Sequence, residues 1–338
     1  MATNTPLTGD VLFVADALDT FNIKKDSTYV MMQALQARGA RIWHTHVHDL
    51  QWQTSAPVTA VATPIALQSR SQQPKHTQAQ TADTQWYAPA KAEQRALGDF
   101  ACVLMRKDPP FDAEYIYATH LLEQATREGA RVFNNPQALR NHPEKLALLE
   151  FGAFAPPTLV TRSAQAVRDF HALHQDIILK PLDGMGGMGI FRVKADGMNL
   201  GSITETLNQN GAATVMVQAY QAAIKEGDKR ILLIGGEPVP FSLARIPQGT
   251  EIRGNLAAGG KGVAQPLSES DWAIANWFAP RLHARGLLLV GLDVIGDKVT
   301  EVNVTSPTCF QEITDQMGFD VAQRFADALQ AELHAPAA

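Results

Sequence analysis

The segment Ile177-Ile178-Leu179-Lys180-Pro181-Leu182-Asp183-Gly184-Met185-Gly186-Gly187-Met188-Gly189-Ile190-Phe191-Arg192-Val193 decides how the rest of the chain is read. Gly184, Gly186 and Gly189 match the G-x-G-x-x-G spacing of a dinucleotide-binding turn. That turn requires a strand before it and a helix after it, because the pyrophosphate rests on the helix N-terminus. Here Ile177–Pro181 reads as a strand, and Gly189–Val193 is a strand again, so the glycines form a hairpin tip. No Gly-Lys-Ser/Thr closes the loop, which excludes a P-loop. A plain turn with positive φ explains some of these glycines. Four glycines in six positions exceed what one turn needs, and backbone amides without Cβ approach a phosphate closely. With Lys180 ending the preceding strand, the segment reads as a phosphate flap.

Downstream, a second hairpin carries oxygen ligands: Gly291-Leu292-Asp293-Val294-Ile295-Gly296-Asp297-Lys298-Val299-Thr300-Glu301-Val302-Asn303. Glu301 and Asn303 lie two apart and share a strand face. A three-residue loop at 296–298 sets Asp293 opposite Glu301, so all three side chains face one way. Mg²⁺ takes hard oxygen ligands, commonly one or two carboxylates plus substrate phosphates. The alternative, a solvated face, is weakened by the apolar flanks Leu287–Val290 and Val294-Ile295. A carboxylate on a buried strand needs a partner.

Working outward, Val11–Ala15, a helix capped at Asp26 or Ser27 and running to Arg38, and a strand at Arg41–His48 open the chain β-α-β and point to a parallel sheet. Strands are expected at Ala101–Met105 and Arg131–Asn134 around a helix over 112–128. A linker through Asn135-Pro136 and His142-Pro143 places the main boundary near 140. Residues 51–90, rich in Gln, Thr and Ala, read as a variable or partly mobile insertion in which Val58, Val61, Ile65 and Leu67 suit a hairpin. Beyond the boundary, Ser163 caps a helix to His174. Strands follow at 214–220, 230–234 and 241–246, with Gly235-Gly236 as a turn. The glycine-rich Pro247–Gly262 has little periodicity. Ser268 caps a helix to Arg285, with Asp271 completing a capping box, and two strands and a final helix end the chain.

The 338 residues are 45% apolar and 19% charged, as expected of a globular protein of two or three domains. The net charge of −5 lacks the basic excess that nucleic-acid phosphates demand. No apolar run is long enough to span a membrane, and the polar start argues against a signal peptide. Cys102 and Cys309, with no Cys-x-x-Cys spacing, fit a reduced cytoplasmic protein. His44, His46 and His48 alternate along the second strand; a solvated strand face explains them better than a metal.

In order along the chain, the lysine strand, glycine hairpin, hinge strand and Asp…Glu-x-Asn hairpin resemble the ATP-grasp ligases. Within them, Asn22–Ser27, Met105–Asp112, Ile178–Gly187, Ala244–Gly249, Arg253–Gly260 and Asn303–Thr308 look like the bacterial glutathione synthetase family. The likeness covers nearly all of the chain outside 51–90. It departs at Met188, where a small or hydroxyl residue is expected. D-alanine–D-alanine ligases end the metal strand with a different motif, Asn-Thr-x-Pro-Gly.

The resemblance implies an α/β (α+β) ATP-grasp fold: an N-terminal β-α-β parallel-sheet domain over 1–140, a central subdomain over 141–220 and a C-terminal subdomain over 221–338. ATP is held between the last two, under a lid loop at 247–262. It implies ligation of γ-glutamylcysteine to glycine through an acyl phosphate. Rival readings are an amine other than glycine, or a nucleotide-binding regulator without catalysis. By matching position, Lys145, Lys180, Gly186, Gly187, Met188, Gln218, Tyr220, Gln221 and Asp228 hold ATP, with Asp228 on the ribose. Asp293, Glu301 and Asn303 hold Mg²⁺, with Mn²⁺ a second candidate. Arg230, Arg245 and Arg253 serve catalysis, and Arg106, Arg245, Arg253 and Ser306 bind substrate, with Arg106 reading the dipeptide carboxylate. A cytoplasmic homotetramer, with no nucleic-acid or membrane partner, completes the expectation.

Overall fold

A computed structural model describes residues 7–68 and 86–335. The first sheet gathers β1 (Gly9–Val14), β2 (Ala40–Thr45), β3 (Leu50–Gln51), β4 (Thr59–Leu67), β5 (Tyr87–Pro89), β6 (Glu93–Ala96), β7 (Cys102–Met105) and β8 (Val132–Phe133). β1 pairs parallel to β2 and β7, and β7 parallel to β8. Val11–Val14 are fully buried, as parallel strands covered on both faces must be. The covering helices are α1 (Ser27–Ala37), α2 (Ala113–Arg127) and the short α3 (Pro136–Asn141). The α1 cap is Asp26, whose carboxylate accepts from Tyr29 N–H at 2.8 Å. The expected linker at 135–143 contains α3, which Asn135 caps and Pro136 starts.

Two expectations change here. The 51–90 stretch is no mere appendage. β4 pairs with β2, β3, β5 and β6, and Ala60, Ala62, Ile65 and Leu67 are buried. Residues 69–85 of that stretch lie outside those described. The second strand stops at Thr45, so His46 and His48 fall beyond it, and the three imidazoles contact ring to ring. Burial pushes His44 down to about 4, and its Nε2 lies 2.9 Å from Asp16 O. Among the described residues no group of three His, Cys, Asp or Glu side chains is placed to hold a metal.

The second sheet runs β11-β10-β12-β9, built from β9 (Thr158–Thr161), β10 (Ile177–Pro181), β11 (Phe191–Val193) and β12 (Val215–Ala219). It is backed by α4 (Ala164–His174) and α5 (Leu200–Leu207). Its core is its own: Val167, Ile177, Leu179, Val193, Val215 and Val217.

The third sheet, ordered β15-β14-β13-β16-β17, comprises β13 (Asp228–Ile234), β14 (Glu237–Ile246), β15 (Lys261–Pro266), β16 (Leu289–Ile295) and β17 (Lys298–Asn303). The helices α6 (Glu269–His283), α7 (Phe310–Met317) and α8 (Val321–His334) complete it. The Ser268–Asp271 capping box of α6 forms as expected. Two helices, not one, close the chain, and β15 claims Lys261 and Gly262, the last residues of the expected lid. The first and third sheets share two apolar clusters; Val103 and Leu122 pack in one with Phe278 and Leu292. No helix of the described residues is long and apolar enough to cross a membrane.

Candidate active site

The second and third sheets face each other across a cleft of about 470 Å³, closed at one end by loops of the first. The third sheet supplies a charged row by cross-strand register. Arg245 on β14 pairs with Asp228 on β13, Arg230 on β13 with Asp293 on β16, and Asp293 with Glu301 on β17. Asn303 lies two residues beyond Glu301 and so shares its face.

The Asp293–Glu301 pairing arises differently from the sequence expectation. The turn has two residues, with Ile295 opposite Lys298, and a bulge after Asp293 absorbs Thr300 and restores the register. The bulged Thr300 offers its carbonyl to the Lys180 ammonium at 3.2 Å.

The row is neutralised internally. Arg230 grips Asp293 through Nε at 2.5 Å and Nη2 at 3.1 Å, a bidentate arrangement. Arg245 Nη2 reaches Asp293 Oδ2 at 2.8 Å and Asp228 Oδ2 at 2.6 Å. Burial raises the Asp293 pKa, but the two guanidiniums outweigh it and hold the carboxyl well below the usual range. Asp228 goes the other way: burial, with repulsion from Asp293, overrides Arg245 and lifts it to about 6. Its Oδ1 is buried without a hydrogen-bond partner. Asp228 thus sits inside the arginine–carboxylate row and also lines the cleft.

Two buried lysines join the sheets. Lys145 donates to Gly184 O at 2.7 Å, at the base of the flap, and lies 3.1 Å from Glu301 Oε1. Burial pushes Lys180 down to about 8, with Glu301 pulling it up and Lys145 down.

The oxygen set suits a hard cation. Glu301 keeps a side chain 20% exposed to the cleft, with Lys145 as its one ion pair among the described residues. Asn303 donates its amide N–H to Gly291 O at 3.2 Å, which turns its oxygen elsewhere. Glu144, which sequence reasoning missed, accepts from Thr305 Oγ1 at 2.7 Å and from the amides of Val304 and Thr305. Its pKa is raised by burial and then by Glu301. Two carboxylates crowded in this way gain from a divalent cation between them and a phosphate. Asp293, by contrast, is committed to Arg230 and Arg245.

The glycine loop is a hairpin tip, not a helix start: β11 follows it. It meets the 247–260 loop directly. Arg253 Nη1 donates to Gly187 O at 3.1 Å, and a Cβ on Gly187 would lie 2.7 Å from Asn255 Oδ1. Gly254 is required by close approach, since a Cβ there would sit 2.1 Å from Arg245 O. Met188 stands 64% exposed at the flap tip.

At the far end of the second sheet, Gln218, Tyr220 and Gln221 line the cleft with Ile178, Ile224 and Ile295. Gln218 Nε2 donates to Thr158 Oγ1 at 3.1 Å, and Arg192 stacks 3.5 Å from the Tyr220 ring centroid. The amides of Ala219 and Tyr220 already donate to Pro157 O and Asp176 O, so fewer hinge amides than expected remain for a base.

Arg106 does not line the cleft. It is buried behind it, with Nε on Thr28 Oγ1 at 3.1 Å and Nη2 on Pro307 O at 3.0 Å. It fixes the Ser306–Pro307 segment from behind. Ser306 does face the cleft and donates to Asp108, which sequence reasoning had quoted in a motif but given no role. Cys309 is buried and free, and burial raises its thiol.

Comparison with known proteins gives family matches over most of the chain. Residues 10–140 match the prokaryotic glutathione synthetase N-terminal domain, and residues 144–318 match the prokaryotic glutathione synthetase ATP-grasp domain. The glutathione synthetase of Ralstonia nicotianae is 58% identical, covering 95% of both chains. That of Neisseria meningitidis serogroup A is 54% identical over 94% of this chain and 98% of its own. Among solved structures, the D-cycloserine synthetase DcsG superposes with a TM-score of 0.65 at 16% identity, covering 96% of this chain and 99% of its own. The ATP-grasp ligase PsnB, complexed with minimal precursor, Mg and ADP, superposes with 0.57 at 18% identity over 96% and 98%. These two bear on the fold alone.

Proposed function

This chain belongs to the prokaryotic glutathione synthetase family, and from that membership we propose how its cleft divides the work of the reaction. The protein is an ATP-dependent ligase with an ATP-grasp fold, joining γ-glutamylcysteine to glycine with release of ADP and phosphate. The carrying observation is the unbroken row Arg245–Asp228–Arg230–Asp293–Glu301 on one sheet face, roofed by two buried lysines.

A bare carboxylate is a poor electrophile, so ATP must first phosphorylate it. Lys145 and Lys180 receive the nucleotide phosphates, Gly186, Gly187 and Met188 cover them, and Gln218, Tyr220 and Gln221 border the base. Arg230 and Arg245 steady the phosphoryl group and the reacting carboxylate. Glu301, Asn303 and Asp293 hold Mg²⁺, which when bound offsets charge on the phosphate oxygens; Mn²⁺ fits the same oxygen donors. Asp293 is paired with Arg230 and Arg245 here and would share its oxygens with the cation when one is bound. Ser306, oriented by Asp108 and backed by Arg106, borders the peptide.

The chain divides functionally into 1–140, 141–220 and 221–338; the break between the two family matches supports the first boundary. A cytoplasmic setting is supported by two buried free cysteines. A homotetramer, proposed from the family resemblance, is tested by light scattering.

Lys180 gives a pH test. Its ammonium is charged below about 8 and neutral above. ATP affinity should therefore fall as pH rises through 8, and binding near pH 8 should take up a proton, seen by calorimetry in buffers of different ionisation enthalpy. Affinity flat from pH 7 to 9.5 would remove Lys180 from the phosphates.

The 247–260 loop guards the acyl phosphate, which water destroys. Arg253→Ala should raise ADP formed per glutathione several-fold above one, measured by coupled assay alongside thiol product. A ratio still at one sinks the lid assignment. The overall reaction is tested by ADP release with γ-glutamylcysteine in the presence and absence of glycine, alanine and serine.

A further inference from the structure

The charges lining the cleft nearly all have partners. Asp293 and Asp228 hold arginines, Glu301 holds Lys145, Arg253 pairs with Glu251, and Lys180 takes Thr300 O. Glu144 is met by Thr305 and two amides, Asp26 caps α1, and Asp108 accepts from Ser306. Two charged groups lining the cleft have no ion pair and no hydrogen bond from their side chain to another residue among the described residues: Lys25 and Glu312, whose carboxylate meets only its own backbone N–H. Glu312 Oε2 is buried and has no hydrogen-bond partner, a costly state for a carboxylate unless a ligand relieves it. Burial raises its pKa, with Lys25 pulling the other way, so the two groups sense each other without touching.

Their placement is fixed in advance. Glu312 stands in the first turn of α7, just past the strand that carries Glu301 and Asn303. Its neighbour Gln311 donates through Nε2 to Ile23 O at 3.0 Å and to Asp26 O at 2.7 Å, pinning the backbone on both sides of Lys25 to α7. Phe310 N–H donates to Ser27 Oγ at 3.2 Å. One cation and one anion, held apart and preorganised, fit a ligand with an ammonium and a carboxylate on one carbon.

We infer that Lys25 and Glu312 hold the amino-acid head of the γ-glutamyl unit, Glu312 taking its α-ammonium and Lys25 its α-carboxylate. A γ-linked glutamyl residue has both groups free on one carbon; an α-linked one has spent its carboxyl in the peptide bond. Glycine is also zwitterionic, but its nitrogen must lose a proton and attack the acyl phosphate, and a carboxylate clamped on it would keep it protonated. The inference rests on the ligase reading above and adds how the enzyme reads the linkage.

The test compares γ-glutamylcysteine with glutarylcysteine, which lacks the ammonium, and 4-aminobutanoylcysteine, which lacks the α-carboxylate. The full enzyme should favour γ-glutamylcysteine over either by about 10- to 100-fold in kcat/KM, the range of one charge-assisted hydrogen bond. Glu312→Gln should collapse the preference over glutarylcysteine only, and Lys25→Gln the preference over 4-aminobutanoylcysteine only. The change should appear in KM for the dipeptide, with KM for glycine and ATP unmoved, and Glu312→Asp should restore part of it. A wild-type enzyme that accepts all three dipeptides equally overturns the inference and leaves the ligase reading standing. So does a Glu312→Gln enzyme whose loss falls on KM for glycine, or equally on every dipeptide. A wild-type enzyme that turns over none of them overturns both.

Discussion

Glu301→Gln is expected to lose magnesium-dependent ADP release by at least about 10³-fold while the chain stays folded, because a ligand to a charge-neutralising cation supplies several kcal/mol to phosphoryl transfer. The substitution keeps the shape and removes one negative charge. It leaves Lys145 its bond to Gly184 O, so the flap base keeps its anchor. It also removes the ion pair with the buried Lys145 and, in the opposite direction, the repulsion that raises the Glu144 pKa. These two effects oppose each other, so thermal unfolding should remain a single cooperative transition with a midpoint close to wild type. ADP release at saturating ATP across a magnesium titration is the measurement. Turnover within a few-fold of wild type would show that the cation, if used, is held elsewhere.

Asp293→Ala should be costly in a different currency. Arg230 and Arg245 are both buried, and their shared carboxylate would vanish. Breaking a buried ion pair from one side costs about 3–5 kcal/mol, because the remaining charge is stranded. Denaturant unfolding at pH 7 should show that loss, and an unchanged midpoint would refute it. The pH dependence carries a sign. Asp293 is held below its ordinary value, so its contribution is complete above the usual carboxylate range and is lost as pH falls below it. Asp228 is lifted to about 6, so it favours the fold at low pH, and that contribution fades as pH rises from its ordinary value through 6. Removing Asp293 also removes its repulsion on Asp228, so the slope of stability between about pH 4 and 6 should flatten in the variant.

The glycine hairpin and the acidic hairpin were legible because their evidence is local. Alternation placed Glu301 and Asn303 on one face, and the apolar flanks of Asp293 announced burial. The pairing of Asp293 with Glu301 came out right although the turn did not. Loop length and bulge trade off one residue for another, and a sequence does not reveal which is used. What failed was non-local. Nothing in Met105–Asp112 says that Arg106 points behind the cleft to Thr28 and Pro307, since both partners come from distant segments. Matching position assigns Asp228 to the ribose and says nothing of an ion pair. Its true partner is Arg245, across a strand pair that only the fold creates. In the 51–90 stretch Ile65 and Leu67 were legible as hairpin positions, but the pairing of β4 with four other strands was not, because its partners come from separate segments and its burial pattern breaks at Thr63-Pro64. Glu144 and Glu312 carry no motif signal; their importance lies in what surrounds them.

The separate core of the second sheet has a thermodynamic meaning. Six fully buried apolar side chains hold that sheet together, while the first and third sheets are fused through large common clusters. Cooperative units open at their own free energies, and a unit with few buried contacts opens most readily. The nucleotide is then more than a reactant. Lys180 and Gln218 belong to the small unit, and Arg230 and Asp293 to the large one, so ATP in the cleft ties the weaker unit to the stronger one by mass action. With ATP seated as proposed, the protein should be most open to proteases when starved of nucleotide, through its second sheet.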